Sequence, residues 1–94
     1  MNLGSIYIIP SQISNETNVN LINNNLIEIV KSLEFFIVEN IRTARRFIKK
    51  LDQNKNIDKT TFFLINKHNR FNYQSEILKT LSEKKNVGIL SDSG

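Results

Sequence analysis

Apolar residues along the chain gather into short continuous clusters, separated by segments in which they recur at helical spacing. Ser5-Ile6-Tyr7-Ile8-Ile9 is a β-branched run stopped by Pro10, and its unbroken apolarity predicts a strand buried on both faces. Residues 10–20 follow neither period and read as a loop. Over 21–33, Ile22, Leu26, Ile29, Val30 and Leu33 follow helical spacing, despite the weak helix formers Asn23-Asn24-Asn25. Phe35-Phe36-Ile37-Val38 predicts a second strand, which Glu39-Asn40 ends. In the helix that follows, Ile41, Ala44, Phe47, Ile48 and Leu51 fall on one side and Arg42, Arg45, Arg46, Lys49 and Lys50 on the other.

Residues 52–59 read as a polar connection, 60–65 as a third strand and 66–72 as a loop. Asn72 is the expected cap of a third helix that buries Ile77, Leu78 and Leu81, and Asn86 the expected left-handed exit after Lys84-Lys85. Val87-Gly88-Ile89-Leu90 predicts a fourth strand, followed by Ser91-Asp92-Ser93-Gly94. The order βαβαβαβ predicts an α/β fold in three layers, a parallel sheet with helices on both faces. Such sheets bind ligands beyond the carboxyl ends of their strands. Pro10, Glu39, Asn66 and Ser91 should therefore share one edge. The chain stops at the tip of its fourth strand, so the expected domain is incomplete.

Composition narrows the chemistry. A chain of 94 residues holds one domain. Without cysteine there is no disulfide framework, thiolate metal site or cysteine nucleophile. One histidine and scattered carboxylates have no metal-ligand spacing, and no metal is expected. No Walker, Rossmann or nucleophile-elbow pattern occurs. No apolar run is long enough to span a bilayer, and the first residues lack a basic leader region, so a cytoplasmic protein without membrane contact is expected. Asn and Ile occur 14 times each and Lys 9 times, a bias that A/T-rich codons explain. The net charge of +4 is unevenly placed: residues 1–40 carry −3 and residues 41–94 carry +7, beginning at Arg42.

Four segments carry a resemblance. Residues 3–10 resemble the opening strand of the tetrapyrrole methylase superfamily. Phe36-Ile37-Val38-Glu39-Asn40-Ile41-Arg42-Thr43-Ala44-Arg45-Arg46-Phe47 resembles its Glu-Asp/Asn-x-Arg-x-x-Arg segment, and Asn66-Lys67-His68-Asn69 its His-Asn loop. Residues 87–94 resemble the start of its Ser-Asp-Ala-Gly-Thr-Pro-Gly stretch. The match is best with the ribosomal RNA small subunit methyltransferase I branch. Two segments depart from the family: Pro10-Ser11-Gln12-Ile13-Ser14 replaces a Thr-Pro-Ile-Gly-Asn-type loop, and the last motif ends before its second glycine.

The resemblance implies that residues 1–94 are the N-terminal domain of an S-adenosyl-L-methionine-dependent methyltransferase, with strands one and four central in its sheet. A C-terminal domain, or a homodimer partner, would supply the other wall of the cofactor cleft. The implied substrate is ribosomal RNA of the small subunit, methylated at a cytidine ribose 2′-hydroxyl. Pro10, Ser91, Asp92, Ser93 and Gly94 are the implied cofactor-binding residues. Glu39 and His68 are the candidate catalytic pair, as orienting carboxylate and proton acceptor. Arg42, Arg45 and Arg46 are the candidate RNA contacts, with Lys49 and Lys50 left as a solvated face. A non-catalytic RNA-binding α/β module and a tetrapyrrole- or diphthine-type small-molecule methyltransferase are the competing functions.

Overall fold

The computed structural model describes residues 3–10, 24–66 and 72–91. Four strands, β1 (Ile6–Pro10), β2 (Phe35–Val38), β3 (Thr61–Leu64) and β4 (Val87–Ser91), form one all-parallel sheet in the order β1-β4-β2-β3. Helix α1 (Asn24–Ser32) joins β1 to β2, α2 (Ile41–Leu51) joins β2 to β3, and α3 (Gln74–Ser82) joins β3 to β4. A 3₁₀ turn, Ile57–Lys59, interrupts the connection between α2 and β3 that the sequence presents as plain polar loop.

The register sorts the strand residues onto two faces. Tyr7, Gly88, Phe36 and Phe62 form one row across the sheet, and Ile9, Leu90, Val38 and Leu64 the next row on that face. Val30 and Leu33, at the end of α1, and Ala44, Phe47, Ile48 and Leu51 of α2 pack there. Phe36 is the largest fully buried side chain, with its ring 6.1 Å from that of Phe62. The opposite face carries Val87, Phe35 and Phe63, covered from α3 by Thr80 and Leu81. Phe63 lies between Phe35 and Tyr73, at 6.2 and 5.7 Å between ring centroids. Helices thus cover both faces, as expected. Connections that step from β1 to β2 to β3 use one face and the return to β4 uses the other, as a single crossover hand requires.

Several expectations are corrected. Of the two strands expected to be central, only β4 is; β1 lies at the edge of the sheet. Its Ile9 is buried, but Ile6 and Ile8 share the face of Val87 and Phe35 and are 48% and 75% exposed, because the cover that α3 gives that face stops short of β1. In α3, Leu78 points to solvent while Thr80 and Leu81 are buried. Tyr73, not Asn72, holds the N-cap position of α3 and makes no side-chain capping bond. The left-handed exit residue is Lys84 (φ 66°), not Asn86.

Lys84 completes a Schellman motif. Its N–H donates to the Leu81 carbonyl (3.0 Å), and the Lys85 N–H to the Thr80 carbonyl (3.2 Å). The Asn86 side chain serves the next step, its Oδ1 accepting from the Ser5 N–H (2.8 Å), while the Val87 N–H donates to the Ser5 carbonyl (2.9 Å) and starts β4 beside β1.

Two substitutions test these placements in urea unfolding. Lys84→Gly should stabilise the chain by about 1 kcal/mol, because glycine adopts positive φ without a Cβ clash. Gly88→Ala should destabilise it by about 1–3 kcal/mol. A Cβ at Gly88 would sit 2.9 Å from Leu33 Cδ1, 3.0 Å from Phe36 Cδ1 and 3.1 Å from Ile9 Cδ1. The opposite sign in either case contradicts the corresponding geometry.

Candidate functional site

The carboxyl edge of the sheet is assembled by register. The row Ile9, Leu90, Val38, Leu64 is followed along each chain segment by Pro10, Ser91, Glu39 and Ile65. Pro10 and Ser91 are paired positions of β1 and β4. The Ile65 N–H donates to the Val38 carbonyl (2.8 Å), which carries the β2–β3 pairing to the edge, with Glu39 level with Ile65 and Asn66 one residue further. Pro10, Glu39, Asn66 and Ser91 therefore share one edge, as expected. Of the remaining candidates, Asp92, Ser93 and Gly94 of the cofactor set and the catalytic candidate His68 lie outside the described residues.

Strand order adds what periodicity alone does not reveal. The connection from β2 runs to α2 on one face and that from β3 to α3 on the other, so adjacent connections diverge between Glu39 and Asn66. In open parallel sheets, a divergence of this kind at the carboxyl edge is where ligands bind. Asn40 starts α2 at this edge: its backbone is extended and its Oδ1 accepts from the Thr43 N–H at 3.0 Å. Glu39 and Arg42 are both exposed there, next to the first turn of α2.

The basic stripe of α2 divides between two places. Arg42 belongs to the carboxyl edge. Arg45, Arg46 and Lys49 instead line an open groove of about 480 Å³ whose other wall is Lys55, Asn56, Ile57 and Asp58. This groove involves residues that sequence reasoning passed over. Lys49, expected on a solvated face, instead donates its Nζ to the carbonyls of Gln53 (3.0 Å) and Lys55 (3.1 Å) and ties helix to loop. Asn56 caps the 3₁₀ turn, its Oδ1 accepting from the Asp58 N–H at 3.0 Å. An Asn-x-Asp signature of a capped turn was the available signal.

Lys55 is the half-buried cation of the groove, and its Nζ donates to the Lys31 carbonyl at 3.0 Å. Burial holds its pKa below the ordinary lysine value of 10.5, against the opposing pull of Asp52 and Glu34. No helix among the described residues is long and apolar enough to cross a membrane. No family model matches the chain, and no curated protein matches it.

The depressed Lys55 pKa has a sign that unfolding measurements read. Between the folded value and 10.5 the unfolded chain binds more protons, so this group's contribution to stability rises with pH in that window. Subtracting the stability of Lys55→Met from that of the parent chain should give a difference that climbs as pH approaches 10.5. A flat or falling difference contradicts the burial of the ammonium.

Proposed function

We propose that the chain is part of an S-adenosyl-L-methionine-dependent methyltransferase acting on RNA. Ribosomal RNA of the small subunit, at a cytidine ribose 2′-hydroxyl, is the substrate that the family resemblance suggests, and such a substrate belongs to the cytoplasm. The observation that carries this reading is the convergence of Pro10, Ser91, Glu39 and Asn66 on the carboxyl edge of an all-parallel sheet with β4 inside it.

The cofactor side is assigned to Pro10 and Ser91, neighbours on adjacent strands, and to Asp92, Ser93 and Gly94, which follow in sequence. The Asp92 carboxylate and the strand-end carbonyls are acceptors suited to a ligand bearing ammonium and hydroxyl donors. When bound, the cofactor supplies a sulfonium methyl group. The work of the chain is positioning: it holds one wall, and Arg42 at the carboxyl edge suits an RNA phosphate near the acceptor. Glu39 offers an exposed carboxylate that accepts or orients a proton, with His68 the second candidate. A C-terminal domain or second copy is assigned the opposite wall, so the isolated chain binds cofactor weakly and transfers no methyl groups.

The groove beside α2 favours a second reading, a non-catalytic RNA-binding module, because its cations lie away from the carboxyl edge. Amide shifts on adding millimolar S-adenosylhomocysteine separate the two. The methyltransferase reading expects small shifts centred on the amides of Ser91, Asp92, Ser93 and Gly94 and extending to Glu39, Asn40 and Asn66. Shifts centred on Glu34, Thr61 and Asn86 at the amino edge, or none anywhere, overturn it.

A further inference from the structure

We infer that the groove between α2 and the 3₁₀ turn holds the phosphodiester backbone of single-stranded RNA. The choice of RNA rests on the reading above; the groove itself rests on charge and shape. Arg45, Arg46, Lys49 and Lys55 line it with Asp58 as the one acid. Arg45 and Arg46 make no ion pair or side-chain hydrogen bond among the described residues. The lysine ammoniums are held by backbone carbonyls, which fixes their positions; carbonyls carry no net charge, and Lys55 also feels the carboxylates of Asp52 and Glu34. Cations immobilised in this way present a positive field at little further ordering cost when an anion docks.

Shape favours a chain over a small anion. The groove is open, its volume of about 480 Å³ accommodates a nucleotide unit, and three of its four cations, Arg45, Arg46 and Lys49, are spaced along one helix. Ile57 and the arginine stems give an apolar strip on which a ribose or base can lie. The helix that forms one wall begins at Ile41, between its cap Asn40 and Arg42 on the carboxyl edge, and spans about 16 Å. A strand anchored in the groove therefore reaches that edge within a few nucleotides. The groove would anchor the RNA and leave the acceptor nucleotide to the edge.

Fluorescence anisotropy of the 94-residue chain with a labelled single-stranded RNA, read over a salt series, tests this. Arg45→Ala and Arg46→Ala should each weaken binding several-fold and reduce the slope of log affinity against log salt by about 0.7. Asp58→Asn, which removes the one acid of the groove, should tighten binding about threefold. Lys79→Ala, an equal charge change on α3 across the sheet, should have little effect, and polyglutamate should compete poorly. Circular dichroism establishes that each variant is folded.

Absent RNA binding, equal effects of Lys79→Ala and Arg46→Ala, or no gain from Asp58→Asn overturns the groove assignment; effective competition by polyglutamate overturns the RNA partner. The amide shifts caused by S-adenosylhomocysteine are a separate readout. A groove that behaves as expected with a silent carboxyl edge refutes the methyltransferase reading alone. A responsive edge with groove variants that bind normally refutes the groove alone.

Discussion

The fold depends on β4 entering between β1 and β2, and the side chain that would obstruct this is missing at Gly88. In the row Tyr7, Gly88, Phe36, Phe62, the glycine leaves room for Phe36 to close over the sheet with Ile9 and Leu33. Phe36, the largest fully buried side chain, is buried there with Ile9 and Leu33, and apolar burial of this kind is the main stabilising term in so small a core. The last strand must therefore find partners more than fifty residues earlier in the chain, a slow and non-local step. Its start is prepared by local chemistry: the Schellman exit at Lys84 and the Asn86–Ser5 bond aim the chain at the gap. A Cβ at Gly4 would overlap the Lys85 carbonyl oxygen, so the same junction requires a second glycine on the strand-one side.

From this insertion the carboxyl edge follows. With β4 inside, Ser91 is brought beside Pro10 and one row beyond the buried Leu90. On the other flank, β2 and β3 send their connections to opposite faces, so the chain leaves the sheet in opposite directions after Glu39 and after Asn66. The charge asymmetry of the sequence then takes a spatial form. Arg42 stays at the edge because Asn40 starts the helix there, while Arg45, Arg46 and Lys49, further along α2, face the loop that Asn56 folds back. Lysine-to-carbonyl bonds, rather than ion pairs, hold that loop.

Much of this was legible in the sequence. Helical periodicity located α2 and its buried set of Ala44, Phe47, Ile48 and Leu51, and short β-branched clusters located the strands. The common edge followed from element order alone. Strand order did not, because periodicity reports which face a residue takes and not which strand lies beside it. That is why Ile6 and Ile8 were expected inside: continuous apolarity has the same appearance whether one face or both are covered. Lys84 took the left-handed position in place of Asn86 because the hydrogen-bond geometry at the end of α3 outweighed residue preference. The groove is not legible in the sequence because its two walls come from different elements, and helical periodicity reports the faces of one helix at a time.

Amide hydrogen exchange tests the insertion of β4 most directly. An inner strand has both its edges paired, whereas an edge strand leaves alternate amides to solvent. The account predicts that Ile89 and Leu90, with Phe36 and Ile37, exchange among the slowest amides in the chain, and that β1 shows alternating fast and slow exchange. Uniformly slow exchange along β1, or rapid exchange along β4, would contradict the strand order on which the carboxyl-edge site depends.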